Sequence, residues 1–131
     1  DPLGLGYDGV DFAGSDDLHP TTGDQKNIVR IKMQGSRGRD FTEAYRRANL
    51  PRNSDYNWHH VDDFNPATGE TTMQLVKRAA HEETYPHGGS VAQFKEHFGI
   101  EDYSAKGGGV EAARKEGWLV TPPSPPKGGC G

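Results

Sequence analysis

The segment that most restricts the fold is a strand, turn, strand and helix pattern in the middle of the chain. Residues 56–61 and residues 71–76 are rich in aromatic and β-branched side chains, which favour strands. Between them lies Asn65-Pro66-Ala67-Thr68-Gly69, whose residue types are typical of turns. Residues 77–84 contain good helix formers, and Pro86 must interrupt them. The pattern predicts a β-hairpin that runs directly into a short helix.

The flanking sequence predicts one further strand and three further short helices. Alternation of apolar residues favours a strand over residues 27–33, and residues 41–49 have a helical apolar face with Asp40 as the predicted N-cap. Ser90 and Gln93 form a predicted capping box for a helix that ends at Gly99. The last helix is predicted over residues 110–116, followed by Trp118 docking on the core. The predicted fold class is therefore α+β.

The composition restricts the core and the chemistry. Only 31% of the 131 residues are apolar and the mean hydropathy is -0.89, so the predicted core is small. No stretch approaches the roughly 18 consecutive apolar residues of a membrane span, and we expect neither such a span nor a secretory signal peptide. The single cysteine, Cys130, excludes an intrachain disulfide and a thiolate cage. Histidines and carboxylates must hold any metal.

The charges divide the chain unevenly. Residues 1–24 carry six acidic residues and no basic one, and we interpret them as a loosely ordered acidic, Gly-rich leader. Residues 25–121 form the predicted domain, and residues 122–131 a Pro/Gly-rich tail. A basic belt comprises Lys26, Arg30, Lys32, Arg37, Arg39, Arg46 and Arg47. Such a belt is either an ordinary solvated face or a surface that steers phosphates.

Three histidines fall where the hairpin and its helix would converge, and a fourth follows them in the chain. His59 and His60 lie on the first hairpin strand, His81 in the helix and His87 in the interrupted turn. Imidazole binds divalent transition metals and transfers protons near neutral pH. Adjacent strand residues point to opposite faces, so one of the first two should meet His81 or His87 around a metal. The other would remain on the open side to deprotonate a water molecule, which gives one metal and one general base.

Other residues near this cluster allow two interpretations. Asp62 and Asp63 either orient a histidine ring or flank the turn in water. Trp58 is interpreted as a buried anchor of the hairpin rather than a platform for base stacking. Asp40 and Glu43 are interpreted as a helix cap and a solvent residue, or as partners of nearby arginines. His19 and His97 have no partners at ligand spacing, and we interpret them as structural or solvated.

Several motifs occur in a specific order along the chain. They are Arg37-Gly38-Arg39-Asp40-Phe41, Asn57-Trp58-His59-His60, Thr72-Met73-Gln74-Leu75-Val76, His81 and Pro86-His87-Gly88-Gly89. Over residues 35–98 this order resembles the WHH family of the HNH/endonuclease VII superfamily. Members are nucleases found mostly as C-terminal toxin domains of bacterial polymorphic toxins. The resemblance implies a ββα-metal core, also called a His-Me finger or HNH-like core, with additional short helices and flexible termini.

The resemblance also implies a role for each histidine. His59 matches the metal ligand on the strand, and His60 matches the general base. His81 and His87 complete the site, although His81 could instead orient the scissile phosphate. The implied mechanism is phosphodiester hydrolysis with one divalent metal ion, whose identity stays open among Mg, Mn, Zn and Ni.

Four cations are candidates to hold the phosphates on either side of the cleaved bond. They are Arg37, Arg39, Lys77 and Arg78. Contacts to phosphates carry no sequence information, so the implied enzyme cuts DNA broadly, with RNA as the alternative substrate. A different class of function is a non-catalytic, structural-zinc module that binds nucleic acid. A structural site is closed and four-coordinate, so this alternative predicts that His60 is also a ligand.

The first residues carry a second resemblance. Asp1-Pro2-Leu3-Gly4-Leu5 is similar to the motif that closes the shell of Rhs proteins, just beyond which a toxin is cut free. Together the two resemblances imply an Rhs effector, encapsulated in its parent protein and delivered by type VI secretion or a related route into the cytoplasm of a target bacterium. An immunity protein would protect the producing cell. Such delivery would also account for the lack of a signal peptide.

Overall fold

Over the part of the chain that the structure describes, the fold consists of three antiparallel strands and four short helices. The computed structural model describes residues 11–82 and 89–120. The strands are β1 (Ile28–Lys32), β2 (Tyr56–His60) and β3 (Glu70–Lys77), in the spatial order β1-β3-β2. The helices are α1 (Arg37–Ala48), α2 (Arg78–Glu82), α3 (Gly89–Phe98) and α4 (Gly109–Glu116). This small α+β architecture confirms the predicted fold class.

The predicted hairpin is present and leads directly into its helix. Trp58 lies opposite Leu75, and His60 opposite Met73, in the antiparallel register of β2 and β3. The connecting turn closes because the carbonyl of Asn65 accepts the N–H of Gly69 at 2.6 Å. β1 pairs with the other edge of β3, which leaves β2 as an outer strand. The two histidines of β2 therefore lie at a sheet edge.

Helix α1 covers one face of the sheet and forms the larger core. The core residues on this face are Val29, Ile31, Ala44, Ala48, Leu50, Trp58, Met73 and Leu75. Successive side chains of a strand point to opposite faces of the sheet, so the core residues determine which residues of β2 face α1. Trp58 and His60 thus face α1, whereas His59 faces the opposite side of the sheet.

Helix α1 begins earlier than predicted. Its N-cap is Ser36, whose backbone is extended and whose side chain accepts a hydrogen bond from the N–H of Arg39. The prediction of Asp40 as the cap is wrong, because the hydroxyl of Ser36 takes that role. Asp40 instead lies in the first turn of the helix and is fully buried. This placement makes the side chain of Asp40 available to the site described below.

A second core gathers α3, α4 and the residues after them. It consists of Met33, Val91, Phe94, Tyr103, Ala113 and Trp118, so the predicted docking of Trp118 is confirmed. The capping box predicted for Ser90 and Gln93 is wrong, because the side chain of Gln93 bonds to the backbone of Asp62 and Phe64 instead. Among the described helices, none combines the length and apolar character that crossing a membrane would need.

The predicted acidic leader is packed against the sheet over its described part. Phe12 is buried, and its N–H donates to the side chain of Gln74 at 2.8 Å. The N–H of His19 donates to the carbonyl of Leu75. The expectation of a loosely ordered leader is therefore wrong for residues 11–24, because Phe12 and these backbone bonds anchor the segment. Residues 1–10 and the predicted tail 122–131 lie outside the described residues.

Replacing Gly35 with alanine should destabilise the protein by about 3 kcal/mol. Gly35 has φ of +95°, and an added Cβ would lie 2.3 Å from the backbone Cα of Val110. Both strain and collision with the backbone of α4 oppose the substitution. Urea unfolding measures the change. Gly38→Ala is the matched control, because a Cβ there meets nothing within 4 Å, and it should leave stability unchanged or raise it slightly.

Replacing Glu43 with glutamine should lower the free energy of unfolding by about 1 kcal/mol at pH 7. Burial acts to raise the pKa of Glu43, but hydrogen bonds and charges from Arg46 and Arg47 outweigh it, and the pKa is lowered. A lowered carboxyl pKa gives stability above the unfolded pKa of about 4.3, which is lost as the pH falls through the folded value.

The difference in the free energy of unfolding between wild type and Glu43→Gln should therefore become smaller below pH 4. Urea unfolding at pH 7 and at several lower pH values measures it. A difference that stays constant with pH would contradict the role of the carboxylate. Glu111→Gln is the control, because Glu111 and its partner Arg114 are both more than half exposed.

Candidate active site

His59 and His81 come together on the face of the sheet opposite α1. His59 is fully buried in β2, and its ring centroid lies 5.7 Å from that of His81, which α2 supplies. The two rings meet because β3 continues directly into α2, and α2 packs against both hairpin strands. On another side, Phe12 contacts the His59 ring edge-on at 5.1 Å. One histidine of β2 thus lies beside His81, one of the two partners that the sequence predicted for it.

The donor chemistry of this pair suits a divalent metal ion. Two imidazoles that bind one metal through nitrogens at about 2.1 Å have ring centroids roughly 5 Å apart, close to the distance seen here. Within residues 11–82 and 89–120, no group of three or more ligating side chains is close enough to hold a metal. The third predicted ligand, His87, lies outside the described residues.

His60 lies on the other face of β2, beneath α1. It is 6% exposed, and its Nε2 lies 2.9 Å from Oδ2 of Asp40. The expectation that this second histidine would be on an open side is wrong, because α1 covers that face. His59 and His60 point to opposite faces of a regular strand, so they cannot both bind the same metal ion.

The carboxylate of Asp40 is held from three directions. Besides His60, it accepts hydrogen bonds from the hydroxyl of Tyr103 at 2.7 Å and from the N–H of Gln34 at 2.7 Å. With the Asp40 carboxylate as acceptor, Nε2 of His60 is the donor of this hydrogen bond. In the neutral imidazole, Nδ1 is then the ring nitrogen with a lone pair.

Tyr103 is a permanent donor in this network. Burial and the adjacent charge of Asp40 raise its pKa well above the ordinary value. The hydroxyl accepts in turn from the N–H of Gly35 at 3.1 Å. The charge of Arg37 acts in the opposite direction on the pKa of Tyr103.

The cations of the basic belt and the four candidates for phosphate contacts differ in whether they pair with a carboxylate. Arg30 bonds to Asp63 and lies near Glu70, while Arg46 and Arg47 both bond to Glu43. The four candidates for phosphate contacts are exposed and pair with no carboxylate in the part of the chain that the structure describes. They are Arg37 and Arg39 in the first turn of α1, and Lys77 and Arg78 at the junction of β3 and α2. These cations remain available to an anionic ligand.

The remaining polar candidates have structural partners. Asp63 accepts hydrogen bonds from Thr71 and Thr72, so of its two interpretations the structure supports the one at the turn. His19 packs against Tyr56 at 4.5 Å, and the exposed His97 packs against Phe98 at 4.7 Å, in agreement with structural roles. Trp58 is 1% exposed and contacts Tyr45 edge-on, as expected of a hairpin anchor.

Asp40 and Tyr103 are the functional candidates that the sequence analysis missed. Asp40 lies four residues before Ala44 and eight before Ala48, so its position on the buried face of α1 was visible in the spacing. A charged residue on such a face needs a buried partner. Tyr103 gave no comparable signal, because a loop between α3 and α4 brings it to Asp40.

A comparison with protein families supports the resemblance found in the sequence. Residues 47–97 match the model of a family described as a nuclease of the HNH/ENDO VII superfamily with conserved WHH. The match covers the hairpin, α2 and nearly all of α3, and it includes Trp58-His59-His60. It starts after Asp40, so it does not cover that part of the resemblance. Searches of curated proteins and of solved structures gave no match.

Proposed function

We propose that this chain is a metal-dependent endonuclease that hydrolyses phosphodiester bonds of DNA and acts as a toxin on competing bacteria. One observation carries the proposal. Within a segment that matches a nuclease family, His59 meets His81 on one face of β2, and the adjacent His60 is hydrogen-bonded to the buried Asp40 on the other. Because β2 is an outer strand, both histidines flank a single sheet edge, where a phosphate group can approach.

His60 is the general base in this proposal. Asp40 holds Nε2 and keeps the hydrogen there, so Nδ1 takes the proton from the attacking water. The water oxygen bonds to phosphorus as the bond from phosphorus to the 3′ oxygen breaks. The leaving oxygen takes up a proton from solvent, and His60 later releases its own. The products carry a 5′-phosphate and a 3′-hydroxyl.

His59 and His81, together with His87, would hold the divalent ion. When bound, such an ion supplies positive charge beside the phosphate and the leaving oxygen. Imidazole donors suit zinc, nickel or iron better than magnesium, which prefers oxygen ligands. Arg37, Arg39, Lys77 and Arg78 would bind the flanking phosphates. Their charge is independent of sequence, which suits broad cleavage.

The toxin role rests on the sequence. The resemblance of Asp1-Pro2-Leu3-Gly4-Leu5 to the closing motif of Rhs shells supports release from an Rhs protein, delivery by a secretion machine into a target cell, and a cognate immunity protein. Expression of the chain in the bacterial cytoplasm tests this part. We expect growth arrest with loss of chromosomal DNA, and an active nuclease without any effect on growth would contradict it.

Incubation with two polymers tests the enzymatic proposal. Supercoiled plasmid and total RNA are each treated with the purified chain in magnesium, manganese, zinc or nickel, or with a chelator. We expect metal-dependent nicking of the plasmid and products with 5′-phosphate ends. Cleavage of RNA alone would make the enzyme an RNase. A folded, metal-loaded chain that cleaves neither polymer would favour the structural-zinc module.

A further inference from the structure

A groove of about 500 Å³ lies beside the proposed site, on the face of the sheet that α1 covers. Trp58 of β2 lines it, together with Phe41 and Tyr45 of α1, and Arg52 and Arg78 lie at its rim. This volume is within the range of pockets that bind small ligands. Of these residues, the sequence predicted only Arg78 to contact a phosphate, and it predicted Trp58 to be a buried anchor.

Two arginines supply the charged donors of the groove. Arg52 is exposed, donates to Thr42 at 2.7 Å, and lies over the Tyr45 ring with its guanidinium carbon 5.1 Å from the centroid. Arg78 donates to the carbonyl of Ser54. Neither arginine pairs with a carboxylate among residues 11–82 and 89–120. The rim therefore presents fixed positive charge that no described acidic group neutralises.

Trp58 supports the aromatic wall of the groove. It is 1% exposed, its indole nitrogen is shielded from solvent, and its ring contacts that of Tyr45 edge-on at 5.4 Å. Phe41 and Tyr45 are partly buried and pack against the same core cluster as Trp58. Both rings are therefore held in place at the groove.

The position of the groove links it to the proposed chemistry. Phe41 lines the groove and also contacts the His60 ring, with centroids 6.1 Å apart. Arg78 begins the short helix α2 that carries His81. A nucleic acid strand whose phosphate lies at the edge of β2 would therefore bring a neighbouring nucleotide to the groove.

We propose that this groove binds an unpaired nucleotide next to the cleaved phosphate, an inference that rests on the proposed function. The arginines contact phosphate oxygens, and the Phe41 and Tyr45 rings contact the base. Aromatic rings and arginines combine in this way in sites for single-stranded nucleic acid. A base within a duplex is stacked between neighbours and cannot enter, so the chain should prefer single strands.

Binding of a labelled thymidylate decamer tests the inference without requiring cleavage. The full chain with His60→Ala is titrated in chelator, and fluorescence anisotropy gives Kd. We expect Arg52→Gln and Arg78→Gln each to raise Kd about tenfold. Arg114→Gln, which removes the same charge from α4, should change Kd less than twofold. A duplex decamer should bind at least about fivefold more weakly than the single strand.

Unchanged Kd in both arginine variants, or equal binding of duplex and single strand, would overturn the inference. Thermal unfolding confirms that the two arginine variants, which change exposed side chains, keep the fold. Failure of the proposed function is distinguishable. A chain that cleaves nothing but loses single-strand binding in these variants retains the groove site, whereas normal cleavage with unchanged Kd in both variants removes it.

Discussion

Replacing His60 with alanine is expected to slow DNA cleavage by about 10²- to 10⁴-fold, the contribution typical of a general base. His60 faces α1 and not the His59–His81 pair, so the variant should still bind the divalent ion. Single-turnover cleavage of plasmid measures the rate, and circular dichroism and metal titration confirm fold and metal content. Loss of metal together with activity would contradict the division of roles, since it would make His60 a ligand.

Two further variants separate the base from its surroundings. Asp40→Asn preserves size and removes the charge that holds Nε2 of His60, and we expect a loss of about 10- to 100-fold in kcat with a smaller change in KM. His97→Ala is the matched control, because His97 is exposed on α3 and packs only against Phe64 and Phe98 among the described residues. A control variant that loses as much activity as His60→Ala would remove the case for a specific base.

Replacing His59 or His81 with alanine is expected to weaken binding of a divalent transition metal by at least about 100-fold and to abolish cleavage with it. The physical reason is that these two imidazoles converge at a distance that suits a shared ion, to which each would contribute a metal–nitrogen bond. Titration with zinc or manganese in competition with a chromophoric chelator measures affinity. His19→Ala is the control, because His19 packs against Tyr56.

The outcome for each ligand candidate is informative by itself. If His59→Ala loses the metal but His81→Ala retains it and still loses activity, His81 orients the phosphate rather than binding the ion. Retention of wild-type affinity by both variants would contradict the metal site on this face of the sheet. His87→Ala belongs in the same series and tests the third predicted ligand.

The sequence predicted the parts of the fold that depend on local pattern. The hairpin, its turn around Asn65 and the helix that carries His81 follow from neighbouring residues, and the structure has them where expected. The opposite orientation of His59 and His60 follows from the alternation of a strand. The match to a nuclease family then rests on the same residues.

The parts that the sequence did not predict depend on contacts between distant segments. Asp40 and His60 are 20 residues apart, and Tyr103 reaches Asp40 across 63. The docking position of α1 also determines which face of β2 is covered. Because α1 covers the face to which His60 points, His60 is buried. The anchoring of Phe12 is a third case, because the acidic residues around it suggested solvent rather than a contact with Gln74.

The most direct test of the central claim is nicking of supercoiled plasmid by chain that has been stripped of metal with a chelator and then dialysed. We predict no nicking by the stripped chain, recovery when a single divalent metal is added back, and no recovery in His59→Ala. Equal nicking before and after metal addition, or full recovery in His59→Ala, would contradict a nuclease that depends on a metal held at His59 and His81.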